Sequence, residues 1–409
     1  MRSKVSFNEL FLILLLNVGI IENFFVLLSD LLKIDSVWCG GISKAIFVFS
    51  FVYFVVHFFS KQQFRKYIKK GLVLLTFLLL FLISYFSYFL IRDFIISSTI
   101  TFLLHCMLPF LIINKSVDFK GLIKLEKIMI PFVIVFAILC ISSNSFDYLT
   151  VSYEVLPFCL ISLLIYLRER RIKFLLAFIV LESSLLILGG RGAILISFIM
   201  AIVLLYYPLF NKISNGRKAL CTFVLVIFAA FVFIFSDTIL SFAAKIIPNS
   251  RWGNIAGRGF FGDSIRISMY ESGIDFSFKN LFSFRSVLFD RYYYAYTFNG
   301  TDSLGFYVSS DMISGLYAHN LWLEMCMDFT PILGTLFFGY LIVRIHKSLN
   351  FSSDTYLRMF LLVAVMCGFV KLLFSGSFLI DPWFWCMFGL VIKENGIKKE
   401  RRIFQEVIV

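Results

Sequence analysis

Two short stretches hold residues suited to chemistry. "LILGGRGAI" sets Arg191 between Gly190 and Gly192 inside a long apolar run, and "SGLYAHNLWLEM" sets His319 beside Asn320 with Glu324 about one helical turn on. A guanidinium is always charged and makes paired hydrogen bonds to phosphate. The N–H groups of a helix starting at such a turn favour the same anions. A histidine titrates near neutral pH and can serve as a general base. Together they suit a reaction in which an anionic group leaves and a hydroxyl attacks. A third stretch, "GDSIRISMYESGIDF", offers Arg266 as a second phosphate fork, or as a partner for Asp263 or Glu271. Plainer readings exist for the first two. The glycines can supply positive φ for a hairpin turn while Arg191 snorkels to the interface. The His319 stretch can be an interfacial helix start.

The elements that position these residues follow from composition. The chain is 60% hydrophobic, 19% aromatic and 15% charged. Its mean hydropathy is +0.91. A soluble domain carries roughly a quarter charged residues, so an all-α, polytopic membrane protein is expected. The net charge of +13 does not point to nucleic acid, because the basic residues cluster in short connections between apolar segments. The eight cysteines are scattered singly, without the spacing of a metal site or a disulfide framework.

About twelve spans are predicted, at 7–27, 42–60, 72–90, 94–113, 128–143, 151–167, 174–189, 193–210, 219–240, 319–343, 359–377 and 382–393. About two thirds of the 38 basic residues lie in the two tails and alternate connections, including 61–70, 114–127 and 168–173. That asymmetry predicts both termini, with the 394–409 tail, on the cytoplasmic side. Residues 241–318, between the spans of 1–240 and those of 319–393, are then one long extracytoplasmic loop with interfacial helices. The loop is aromatic, and it carries Lys245, Arg251, Arg258, Arg266, Lys279, Arg285 and Arg291 on the side where basic residues are otherwise scarce.

Polar residues inside the spans gather toward that side. Glu154 and Glu182 lie in outer halves. Asn320, Glu324 and Asp328 share one helix face by their spacing. Lys371 is expected to pair with Glu324 or Asp328 as glue between helices. His57 and His105 read as packing residues. A polar cavity open to the outer face is the expectation, with His319 wetted at its rim.

The order "ILGGRGAILISF", long outer loop with an arginine segment, then "YAHNLWLEM" running into a span with Gly334, resembles the O-antigen polymerase and O-antigen ligase superfamily (Wzy/WaaL). The likeness covers mainly residues 175–345. "KNLFSFRS" lacks the Pro and Gly that the family often carries there, and Tyr317-Ala318 before the His-Asn pair tilts toward polymerase. The resemblance implies a GT-C-like glycosyltransferase of the bacterial inner membrane, with a periplasmic active site. It would transfer a glycan from undecaprenyl pyrophosphate to the non-reducing end of the next lipid-linked repeat unit, with inversion and without metal or other cofactor. Arg191, Arg266 and His319 would be catalytic. Gly190, Gly192, Asn320, Glu324, Arg258, Arg285, Arg291 and Glu182 would line the substrate site. A chain-length regulator and a flippase are the implied partners. Ligation of polymer to lipid A–core is the alternative within the superfamily, and a lipid-linked oligosaccharide flippase the alternative outside it.

Overall fold

The computed structural model describes residues 6–33, 37–58, 64–113, 117–142, 148–188, 190–206, 264–298, 316–352 and 354–392, with isolated positions between 207 and 245. Among these residues the protein is all helical, with no strand. Four helices are long and apolar enough to cross a membrane, at Phe89–Ile113, Leu149–Glu169, Pro331–Asn350 and Thr355–Leu373. A fifth span results if the bent pair Phe7–Leu16 and Val18–Asp30, 64° apart, is counted as one. Apart from those isolated positions, the expected span at 219–240 lies outside the described residues, as does Arg258.

The N-terminal half runs through α1 (Phe7–Leu16), α2 (Val18–Leu32), α3 (Val37–Phe58) and α4 (Phe64–Ser87). Next come α5 (Arg92–Thr101), a π-helical turn at Phe102–Met107 and α6 (Leu108–Ile113). α7 (Phe119–Ser142), α8 (Tyr148–Glu169), α9 (Ile172–Leu188) and α10 (Arg191–Tyr206) follow. α8 is the buried axis, packed against α7, α9 and α10. Its apolar side chains Val155, Leu156, Phe158 and Leu160 are fully enclosed. Its two ends define the two ends of the bundle. At one end Lys127 pairs with Glu169, and Arg168 lies 3.5 Å above the Tyr356 ring. The basic connections at 114–127, 168–173 and 344–358 therefore meet there. The other end, about 24 Å away at 1.5 Å per residue, carries Ser152 and Tyr153 and receives the Arg191 turn.

The second half holds α11 (Ser264–Lys279), α12 (Phe289–Phe298), α13 (Leu321–Asp328) and α14 (Pro331–Phe351). After it come α15 (Thr355–Val365), a π turn at Met366–Val370, a 3-10 turn at Lys371–Leu373, and α16 (Pro382–Ile392). The span expected at 319–343 is divided. α13 ends at Asp328, and the chain turns at Phe329 before α14 begins. Thr330 caps the new helix by accepting from Leu333 N–H. Pro331, which has no N–H to lose, sits in its first turn. The spanning helix thus starts twelve residues later than expected, and α13 folds back against it.

Candidate functional site

The site is built around the break between α15 and α16. The apolar helix that begins at Thr355 loosens into its π turn, tightens into the 3-10 turn and stops at Phe374. Gly376 takes φ +89°, which a side chain rarely tolerates, and the chain re-enters a helix after Asp381. Discontinuous helices of this kind leave backbone groups to be met by neighbours. Here the neighbours are the residues around His319. Tyr317 Oη accepts from Gly376 N–H at 3.1 Å and lies 3.3 Å from Ser375 Oγ. Asn320 Nδ2 donates to Leu373 C=O at 3.2 Å. Glu324 accepts the Ser377 hydroxyl and, at 3.3 Å, Phe378 N–H.

Asn320 is also the N-cap of α13, accepting from Leu323 N–H at 3.1 Å, so the helix-start reading of this stretch holds. His319 itself adopts φ +50°, an uncommon conformation outside glycine that costs about 1–3 kcal/mol. The flanking backbone holds it there. Ala318 N–H donates to Asp290 Oδ2 at 3.0 Å, and the Tyr270 hydroxyl donates to His319 C=O at 3.1 Å. The imidazole packs on Tyr317 with centroids 3.6 Å apart. Only 7% of His319 is exposed. The expectation of a wetted histidine is thereby corrected: the side chain is buried, with the Tyr317 ring packed on it.

Beneath His319 three carboxylates meet. Oxygens of Asp290, Glu324 and Asp328 lie within 4.8 Å of one another, and all three residues are buried. Asp328 accepts Leu288 N–H at 3.1 Å and Asp290 N–H at 3.2 Å. Five of the six oxygens therefore receive N–H or O–H donors, Asp290 Oδ1 being the sixth. Burial, and then the charge of Asp290, push the Glu324 carboxyl up to about 8. Burial and the two neighbouring carboxylates push Asp328 well above its ordinary range. Burial raises Asp290, opposed by Arg291 beside it. The triad has the donor set of a cation site. Its oxygens, however, are already used to tie α12, α13, the His319 segment and the helix break together.

Lys371 pairs with Asp381 across the break, which corrects the expected pairing with Glu324 or Asp328. Those two are occupied by other donors, while the turn at 374–381 brings Asp381 back beside Lys371. Its ammonium also sits 5.8 Å above the Tyr153 ring. Tyr153 leads to the arginine turn. A Cβ on Gly192 would lie 2.1 Å from Tyr153 Oη, and one on Gly190 would lie 2.3 Å from Ser152 Oγ. Neither glycine has positive φ. They are required by the close approach of α10 to α8, not by turn conformation as expected. Arg191 opens α10, a helix that packs against the turns at 366–373, and the Tyr153 that meets Gly192 also meets Lys371. The Arg191 turn and the His319 segment thus flank one helix break.

The other candidates divide. Arg291, 2% exposed, lies 4.7 Å from the Tyr317 ring and 4.9 Å from that of Phe94. It belongs to the His319 cluster, buried where its charge offsets the carboxylates. Arg285 stacks over Phe276 and Phe289 at 4.3 and 4.6 Å, away from the break. Glu182 accepts from Cys159 Sγ at 3.0 Å and works as glue between α8 and α9. Arg266 is on α11, its side chain outside the described residues. Asp290, Tyr317, Ser377 and Asp381 were not anticipated. An acidic residue directly before Arg291, within an aromatic outer loop, was the available signal for Asp290. Comparison with known proteins supplies no relative: no family model matches the chain, no curated protein matches its sequence, and no solved structure matches its fold.

Proposed function

We propose that the protein is a polysaccharide polymerase. It would transfer a growing glycan from a polyprenyl pyrophosphate to the end sugar of the next lipid-linked repeat unit. The observation that carries this reading is the convergence of the Arg191 turn and the His319 segment on one helix break, at the end of the bundle opposite the basic connections. In the proposed reaction the sugar–phosphate C–O bond breaks and a new C–O bond forms to the acceptor hydroxyl. The hydroxyl proton passes to His319, and the departing pyrophosphate is held by Arg191 and Arg266. These fixed cations replace a metal in the reading. Tyr317 covers the imidazole in this conformation, so the acceptor enters by moving that ring aside. The finer placement belongs to the same proposal: twelve spans in a GT-C-like arrangement, cytoplasmic termini and a periplasm-facing site in the inner membrane.

Deleting the gene tests the class. A polymerase deletion leaves single repeat units on the surface. Bare core with accumulating lipid-linked polymer would mean a ligase, and units trapped on the cytoplasmic side would mean a flippase.

A further inference from the structure

The tip between α11 and α12 has the build of a device for entering lipid. α11 ends at Lys279, and Asn280 Nδ2 donates back to Phe276 C=O at 2.9 Å. The chain reverses through hydrogen bonds from Asn280 N–H to Ser277 C=O and from Ser283 N–H to Asn280 C=O. It is clamped at its base where Arg285 N–H donates to Phe329 C=O at 3.1 Å, with the Arg285 guanidinium stacked on Phe276 and Phe289. This ordered tip presents its largest apolar side chains outward. Phe278 is 68% exposed, Leu281 39%, Phe282 83% and Phe284 59%.

We propose that residues 278–284 insert into the bilayer leaflet at the Arg191 end of the bundle, so that the extracytoplasmic segment is anchored in lipid between its own helices. Two further observations choose lipid as the occupant. First, the tip is continuous with a lipid-facing surface. An apolar groove of about 350 Å³ joins Phe278 and Leu281 to Trp322 on α13 and to Ile332 and Leu336 at the start of α14. α14 carries the apolar span Pro331–Asn350, most of which faces outward, and its Leu336 is 65% exposed. The exposed patch is the upward extension of a face that already needs hydrocarbon. Second, Lys279, which pairs with Asp275 at 2.6 Å, and Arg285 bracket the Leu281–Phe284 stretch. Long basic side chains there place charge at headgroup level while the rings sit below, as in interfacial helices.

The insertion stands whatever the protein catalyses. One consequence rests on the proposed function. α11 carries Tyr270, which bonds His319 C=O, so an anchored tip fixes the imidazole at the depth where a lipid pyrophosphate lies.

The test uses the full chain in lipid nanodiscs, with Phe282→Cys carrying an environment-sensitive fluorophore and the unsubstituted protein as the labelling blank. Glu271→Cys, on an exposed part of α11, is the aqueous reference. Quenching of the 282 probe by nitroxide-bearing acyl chains, roughly threefold stronger than at 271, is expected for an inserted position. Equal quenching of both probes by aqueous iodide would overturn the proposal. So would a 282–282 disulfide dimer, which would assign the tip to a second copy. Phe282 makes little contact, so its replacement should fold. Should that variant fail to accumulate, Phe284→Cys reads the same surface with the same outcomes.

Discussion

Glu324 and Ser377 lie fifty-three residues apart and meet as carboxylate and hydroxyl inside the protein. The contact joins the short helix after His319 to the break between α15 and α16. It assigns Glu324 a mechanical role: it holds the floor beneath the histidine, with Asp290 and Asp328 bracing the same floor from α12 and α13.

That floor makes stability depend on pH. Glu324 is raised to about 8 when folded, against an ordinary value near 4.3. A carboxyl raised by folding contributes fully below its unfolded pKa, and the contribution is lost as pH rises through the folded value. Asp290 and Asp328 shift in the same direction. Thermal unfolding in detergent should therefore shift to lower temperature between about pH 5 and 8. Glu324→Gln, which keeps the Ser377 contact and cannot ionise, should flatten that slope. A midpoint independent of pH in the parent protein would contradict the arrangement.

The Lys371–Asp381 pair should behave as a buried pair. Removing one partner strands the other charge and typically costs about 3–5 kcal/mol. Asp381→Asn or Lys371→Met alone is expected to lower the unfolding midpoint sharply. The double replacement Lys371→Met/Asp381→Asn, in which the Asn side-chain oxygen can still accept from Phe384 N–H, should lose less than the sum of the two single changes. A double-mutant cycle with purely additive losses would argue against the pairing.

Gly190→Ala should be more damaging than Gly192→Ala. At 190 the new methyl meets Ser152 Oγ and Cβ, at 2.3 and 2.4 Å, while at 192 it meets chiefly the phenolic oxygen of Tyr153. Overpacking of this kind costs about 1–3 kcal/mol. Tyr153→Phe should restore most of what Gly192→Ala loses, read as the unfolding midpoint and the yield of monodisperse protein.

Chelation separates fixed cations from a metal. If Arg191 and Arg266 hold the pyrophosphate as proposed, polymerisation by purified protein should survive excess EDTA. Loss of activity restored by a divalent ion would instead make Asp290, Glu324 and Asp328 a cation site.

What was legible in the sequence was what depends on local chemistry. The all-helical, apolar class follows from composition. The helix start beside His319 follows from residue type. What was hidden depends on breaks in the chain. An apolar run reads as one span whether or not it folds back, although Thr330-Pro331 carried a helix-start signal. The partner of Lys371 lies beyond a break that Gly376 alone hints at. Gly190 and Gly192 read as turn formers because φ is a local property, whereas the neighbour they accommodate is about forty residues away on α8. Asp290 has no periodicity to announce it, since its partners come from three other segments.

The central claim is that Arg191 and His319 perform one glycosyl transfer. Purified protein in nanodiscs, supplied with lipid-linked repeat units, should extend them into polymer. Arg191→Ala and His319→Ala should each abolish extension while the proteins remain monodisperse and unfold near the parent temperature. Full polymer from either variant, or no polymer from the folded parent, would contradict the account.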